Sequence, residues 1–85
     1  MKLNILSPEG NIYNGEAYGV QMPGVSGSFE IMDKHAPMIA ALTEGKLKIL
    51  QGGLHGTATY YQVQGGFVEV LNDHVTVLVE GAKQI

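Results

Sequence analysis

Twelve glycines in 85 residues constrain this chain more than any other feature. They recur so closely that the longest glycine-free stretches are residues 28–44 and 67–80. A glycine inside a helix costs about 1 kcal/mol relative to alanine, because it gives up the most backbone freedom on ordering. Short runs of β-favouring residues lie between these breaks, a pattern that predicts many short strands in a sandwich or barrel. Leu3 and Ile5 alternate with Asn4, and Ile12-Tyr13 lies between Gly10-Asn11 and Asn14-Gly15, the latter a good tight-turn dipeptide. Ala17 to Met22 reads as a strand with Val20 and Met22 on one face, closed by Pro23-Gly24. Leu47 and Ile49 alternate with Lys46, Lys48 and Leu50, and two lysines on one face keep an edge or outer surface soluble. Thr57 to Val63 is β-branched and aromatic, which puts Tyr60 and Tyr61 on opposite faces of a strand. Phe67, Glu69 and Leu71 alternate with Val68 and Val70. After Asn72-Asp73, Val75, Val77 and Val79 alternate with Thr76 and Leu78, so the pair reads as a hairpin with Phe67 and Val77 as expected core positions.

Residues His35 to Gly45 are ambiguous. Pro37 stands near a possible helix start and Gly45 just past a possible end, and Ala, Met and Leu favour helix. An all-β setting favours a strand there instead, and tertiary context overrides weak propensity.

Other function classes are narrowed by what the chain holds. It has no cysteine, hence no disulfide framework, thiolate metal site or thiol nucleophile. Five lysines, no arginine and a net charge of −3 argue against nucleic acid, whose readers present a basic, arginine-bearing face. No apolar run approaches the roughly 20 residues a membrane-spanning helix needs. His35, His55 and His74 lack partners at ligand spacing, apart from Asp33 beside His35, so no metal site is expected. Ser7, Ser26 and Ser28 lack a nucleophile-elbow setting. Gly52-Gly53-Leu54-His55-Gly56 has no Lys-Ser or Lys-Thr after it and reads as a hairpin loop rather than a phosphate loop. Gly24-Val25-Ser26-Gly27 has the GxxG spacing of an RNA-binding loop but no basic flanks, and reads as a turn. From Pro23 to Pro37 the mix of Phe29, Ile31 and Met32 with polar residues reads as a long loop, a usual place for binding residues.

The ordered set Ser7-Pro8-Glu9-Gly10, Asn14-Gly15-Glu16, Val20-Gln21-Met22-Pro23-Gly24, Gly27-Ser28-Phe29, His35-Ala36-Pro37, Gly65-Gly66-Phe67-Val68-Glu69-Val70 and Val75-Thr76-Val77-Leu78 resembles the epsilon subunit family of F-type rotary ATP synthases (delta in mitochondria). The match runs over nearly the whole chain. The resemblance implies one all-β domain over residues 1–85, a ten-stranded β-sandwich of two sheets with little or no helix. It makes residues 38–43 a strand. It implies a non-catalytic rotor part without cofactor, bound to the gamma subunit and resting on the c-ring, peripheral to the cytoplasmic side of a bacterial inner membrane and touching that membrane only through partner subunits. Carried onto this sequence, the ring-facing loop is Ser28 to His35, with Ser28, Phe29, Glu30 and His35 at the contact. Two departures stand out. The family's C-terminal helices would begin where this sequence ends, so inhibition by them is not expected. Asp33-Lys34 also replaces the proline and small polar residue common before His35. The alternative reading is a lipoyl or biotinyl carrier with Lys34, after Met32-Asp33, as the modified residue. A sugar-binding sandwich is a third option, weakened by the absence of tryptophan.

Overall fold

A computed structural model describes residues 1–53 and 56–85, and among these there is no helix. The strands are β1 (Lys2–Ser7), β2 (Gly10–Glu16), β3 (Gly19–Gly24), β4 (Gly27–Met32), β5 (Met38–Gln51), β6 (Thr57–Leu71), β7 (His74–Val79) and β8 (Ala82–Gln84). Residues 38–43 are therefore strand, and the local helix propensity there is overridden. The reason is visible in the ladder, where Met38 to Leu42 pair residue by residue with Val70 to Gly66.

Eight strands are formed where ten were expected, because two of them run through both layers of the sandwich. The strand order is β2-β1-β7-β6-β5-β3-β4, with β8 also on β6. The far part of β6, Gly66 to Leu71, pairs with β7, whereas its near part, Tyr61 to Val63, pairs with β8. β5 follows β6 along its whole length, and its Lys48 to Leu50 part carries β3. Gly65 and Gly66 mark the change of layer with φ of 107° and 146°, backbone that a side chain resists. Counting the halves of β5 and β6 separately gives five segments per layer. The first layer is β2-β1-β7-β6-β5 and the second is β4-β3-β5-β6-β8.

Inward-facing residues of the two layers form one core. Leu3, Ile5, Val68, Val70, Val75 and Val77 from the first meet Val20, Met22, Ile31, Leu47, Ile49 and Val63 from the second. The alternation read from Leu3/Ile5, Val20/Met22, Leu47/Ile49 and Val75/Val77/Val79 is the alternation found. Tyr61 packs against the core while Tyr60 faces out beside Lys46 and Lys48.

Three expectations need correction. Phe67 is not core: it is 59% exposed, and Val68 and Val70 take the inward positions on β6. Two adjacent alternating sets of apolar residues left its face undecided, and pairing Val68 with Val77 decides it. Asn14-Gly15 is not a turn but lies inside β2, opposite Asn4 and Leu3. Ser28 to Met32 is not loop either: it is most of strand β4, paired with β3 from Pro23 to Gly19. The Asn72-Asp73 turn is as expected, with φ of 53° and 60°. Gln51 and Thr57 close the β5–β6 hairpin as the glycine cluster suggested, although Leu54 and His55 lie outside the described residues.

A charge cluster ties the start of β1 to the β4–β5 connection. The Met1 ammonium donates to Asp33 Oδ1 at 2.7 Å and to the Ala17 carbonyl at 3.1 Å, with Glu16 Oε1 3.7 Å away. The hydrogen bond to Asp33 and the nearby carboxylates of Asp33, Asp73 and Glu16 hold this amine above its ordinary value of 8.0, against the opposing pull of burial. A group whose pKa is raised on folding stabilises the fold fully below its unfolded pKa and loses that contribution as pH rises through the folded value. The melting temperature of the 85-residue chain is therefore expected to fall as pH rises past the amine's ordinary value of 8.0, and Asp33→Asn to flatten that fall. Thermal melts of both chains on either side of that value check it.

Candidate functional site

One row across the outward face of the first layer is apolar where a solvated sheet would be polar. Alternation along each strand sends Ala41, Phe67, Leu78 and Leu6 outward from β5, β6, β7 and β1. The ladders place these four side by side, since Ala41 pairs with Phe67, Phe67 with Leu78, and Leu78 with Leu6. Ile39 and Leu71 extend the patch along β5 and β6. Ile39 is 74% exposed, and Leu71 and Leu78 are 49% exposed each. Glu69 and Thr76 sit opposite each other in the next row. An open groove runs along the edge of this patch, floored by Leu42, Gly66 and Val79 and rimmed by Glu44 and Glu80. A contiguous apolar strip with an acidic rim is the usual form of a protein-docking surface.

Ser28, Phe29, Glu30 and His35 are not brought together. Ser28 pairs with Pro23 near the tip of the β3–β4 hairpin, and Glu30 with Gln21 farther along. Both are exposed, whereas Phe29 points inward and packs against the core. The other end of β4, Met32, is about 13 Å of strand from Ser28 on the standard rise, and His35 lies three residues beyond it. There the Lys34 backbone N–H donates to Asp73 Oδ1 at 2.9 Å, and His35 Nδ1 lies 2.7 Å from the Ala36 carbonyl oxygen. An apolar groove does adjoin the hairpin tip, lined by Gly24, Val25, Phe29, Met38 and Ala40. Gly24 belongs to that tip because a Cβ there would come 2.6 Å from the Gly27 carbonyl and 2.7 Å from the Phe29 ring. Sequence reasoning missed the outer strip altogether, and the signal was present in Phe67, Leu71 and Leu78 sharing the period of Glu69 and Thr76.

Lys34 sits at φ 61° in a turn between β4 and β5. Those two strands are not neighbours in the sheet, so Lys34 is not at the tip of a hairpin as a carrier lysine would have to be. Among the described residues no three His, Asp or Glu side chains are grouped to hold a metal ion.

The family model for the ATP synthase delta/epsilon chain β-sandwich domain matches residues 1–85. The chain belongs to that family. It is 37% identical over 86 residues to the ATP synthase epsilon chain of Salinibacter ruber, covering 94% of this chain and 58% of that one. It is 34% identical over 82 residues to the epsilon chain of Caulobacter vibrioides, covering 96% and 92% respectively. The chain thus spans about 60% of the length of several curated relatives and nearly all of another. A solved structure of the central stalk and c-ring of the Tetrahymena thermophila mitochondrial ATP synthase contains a chain that superposes with a TM-score of 0.84 at 18% identity. That match covers 98% of this chain and 65% of the other. Similarity at this identity speaks for the fold, and the sandwich of the delta/epsilon family is the fold found. Family membership also removes the carrier and sugar-binding alternatives.

Proposed function

We propose that this chain is a non-catalytic rotor subunit in the central stalk of a proton-translocating F-type ATP synthase, linking the gamma subunit to the c-ring. The exposed strip Ala41–Phe67–Leu78–Leu6 carries the proposal. It gives a small sandwich of the delta/epsilon family an apolar face that a free monomer has no use for. Gamma is assigned to this strip. The c-ring is assigned to the β3–β4 hairpin, with Ser28 and Glu30 as direct contacts and Phe29 as the side chain that stiffens the strand beneath them. His35, expected at the ring contact, lies beyond the far end of β4 from this tip and is left out of the proposed contact. The task is mechanical: a core shared by both layers resists shear, so torque passes from ring to stalk through surface contact. In a bacterium this places the chain at the cytoplasmic side of the inner membrane, held there by its partner subunits.

Isothermal titration of the chain against the gamma subunit from the same organism tests the reading. Binding at micromolar concentration or tighter is expected. Leu78→Glu should weaken it by at least about tenfold, since a carboxylate buried against apolar surface is left unpaired. The melting temperature should hold, because Leu78 is half exposed. No binding of the unaltered chain at micromolar gamma would sink the assignment. The ring contact is tested separately, because the chain has no cysteine and Ser28→Cys supplies a unique crosslinking point. A crosslink to a ring subunit in the assembled enzyme is expected.

A further inference from the structure

The opposite face of the sandwich has a different chemistry. Lys46, Lys48 and Lys83, three of the chain's five lysines, share the outer face of the second layer. Lys46 and Lys83 flank Gln62 across the ladder, and Lys48 lies opposite Tyr60. Both β5 ammonium groups converge on one ring, with Lys46 Nζ 5.6 Å and Lys48 Nζ 5.8 Å from the Tyr60 centroid. Neither is neutralised, since among the described residues every ion pair involves the Met1 ammonium. Two acids share the strands of this face without pairing to the lysines: Glu44 is two residues before Lys46 on β5, about 6.8 Å along the strand, and Glu30 is separated from Lys48 by Gln21, two strand spacings or about 10 Å away. In a chain of net charge −3, unpaired cations gathered on one aromatic ring make a local anion-attracting field.

The shape of the site selects the anion. These lysines stand on the pleated surface of a sheet, whereas a small ligand such as a nucleotide is held in a concave pocket. Lys46 and Lys48 are two residues apart on one strand, about 6.8 Å, which is also the spacing of carboxylates two residues apart on another extended chain. The Tyr60 ring and Ile85, whose N–H donates to the Tyr60 carbonyl, supply apolar ground beside the charges. We propose that this face docks an acidic, extended segment of a partner polypeptide, with alternate carboxylates seated on Lys46 and Lys48 above Tyr60 and a third within reach of Lys83. The site is separate from the strip assigned to gamma and does not depend on that assignment.

Titrating the isotope-labelled chain with an acetylated Glu-Thr-Glu-Thr-Glu peptide, followed by amide chemical shifts, tests the proposal. Saturable shifts centred on Lys46, Lys48, Tyr60 and Lys83 are expected, weakening as salt rises. The double variant K46A/K48A should lose about tenfold in affinity, and K2A/K34A, which removes the same charge elsewhere, should lose little. Sodium tripolyphosphate and vesicles of phosphatidylglycerol with phosphatidylcholine serve as competing probes. Shifts scattered over the surface, equal losses in the two double variants, or tighter binding of either competing probe would overturn the assignment.

Discussion

Gly66→Ala is expected to destabilise the chain by about 2–6 kcal/mol, which combines about 1–3 kcal/mol for a backbone region essentially reserved for glycine with a similar overpacking penalty. Gly66 has φ of 146°, and a Cβ placed there falls on the Leu78 carbonyl and within 2.8 Å of Val79 Cα. Neither obstacle is a flexible side chain, so neither can swing away. The position is also where β6 leaves β8 and takes up β7, so strain here is felt by both layers. A chain of 85 residues holds about 4–13 kcal/mol in total at the usual stability per residue, so this one methyl group removes a large share of it. Gly10→Ala is the matching control. Gly10 has φ of 125°, but a Cβ there meets nothing within 4 Å. Its cost should be the backbone contribution alone, about 1–3 kcal/mol. Urea denaturation of the two variants measures the difference. Equal losses would mean that the crossing of β6 over β7 is looser than the geometry describes.

Glycine spacing carried much of the fold into the sequence, and the residues show where its reach ends. Strand identity was legible wherever β-branched or apolar residues alternate with polar ones, as in Leu3-Asn4-Ile5 and Val75-Thr76-Val77, because period-two alternation has one structural meaning. The layer change at Gly65-Gly66 was not legible as such. Two adjacent glycines suggest a turn that ends a strand, and only pairing with different neighbours on either side shows that the strand continues. Asn14-Gly15 failed for a related reason: a dipeptide suited to a tight turn is also tolerated within an edge strand that has no neighbour on its other side.

The candidate surface was harder to read than the core. For β6 both alternating sets are apolar enough to be core, Phe67 and Leu71 on one side and Val68 and Val70 on the other. Sequence cannot separate a buried set from a set that awaits a partner, since both lower their free energy by leaving water. Ser28 to His35 failed differently. Polar residues at Ser28 and Glu30 suggest a loop, but they are simply the outward half of a strand whose inward half is Phe29 and Ile31.

The distinction between core and waiting surface has a direct experimental form. Leu47→Ala is expected to cost about 2–5 kcal/mol, because Leu47 is fully buried and truncation leaves a cavity lined by rigid sheet residues. Phe67→Ala removes a larger side chain, yet should change the stability of the free chain by less than about 0.5 kcal/mol, as befits a side chain that is 59% exposed. The order should reverse in complex with gamma. Phe67 lies at the middle of the outer row between Ala41 and Leu78, and central aromatic residues dominate docking surfaces, so its loss should weaken binding by about 2 kcal/mol or more. Leu47, whose side chain never reaches that surface, should leave gamma affinity unchanged under conditions where the variant remains folded. Denaturation of the free chains and titration against gamma together separate the two roles. A Phe67→Ala chain that is as unstable as Leu47→Ala would return Phe67 to the core. One that binds gamma unchanged would move the docking surface elsewhere on the sandwich.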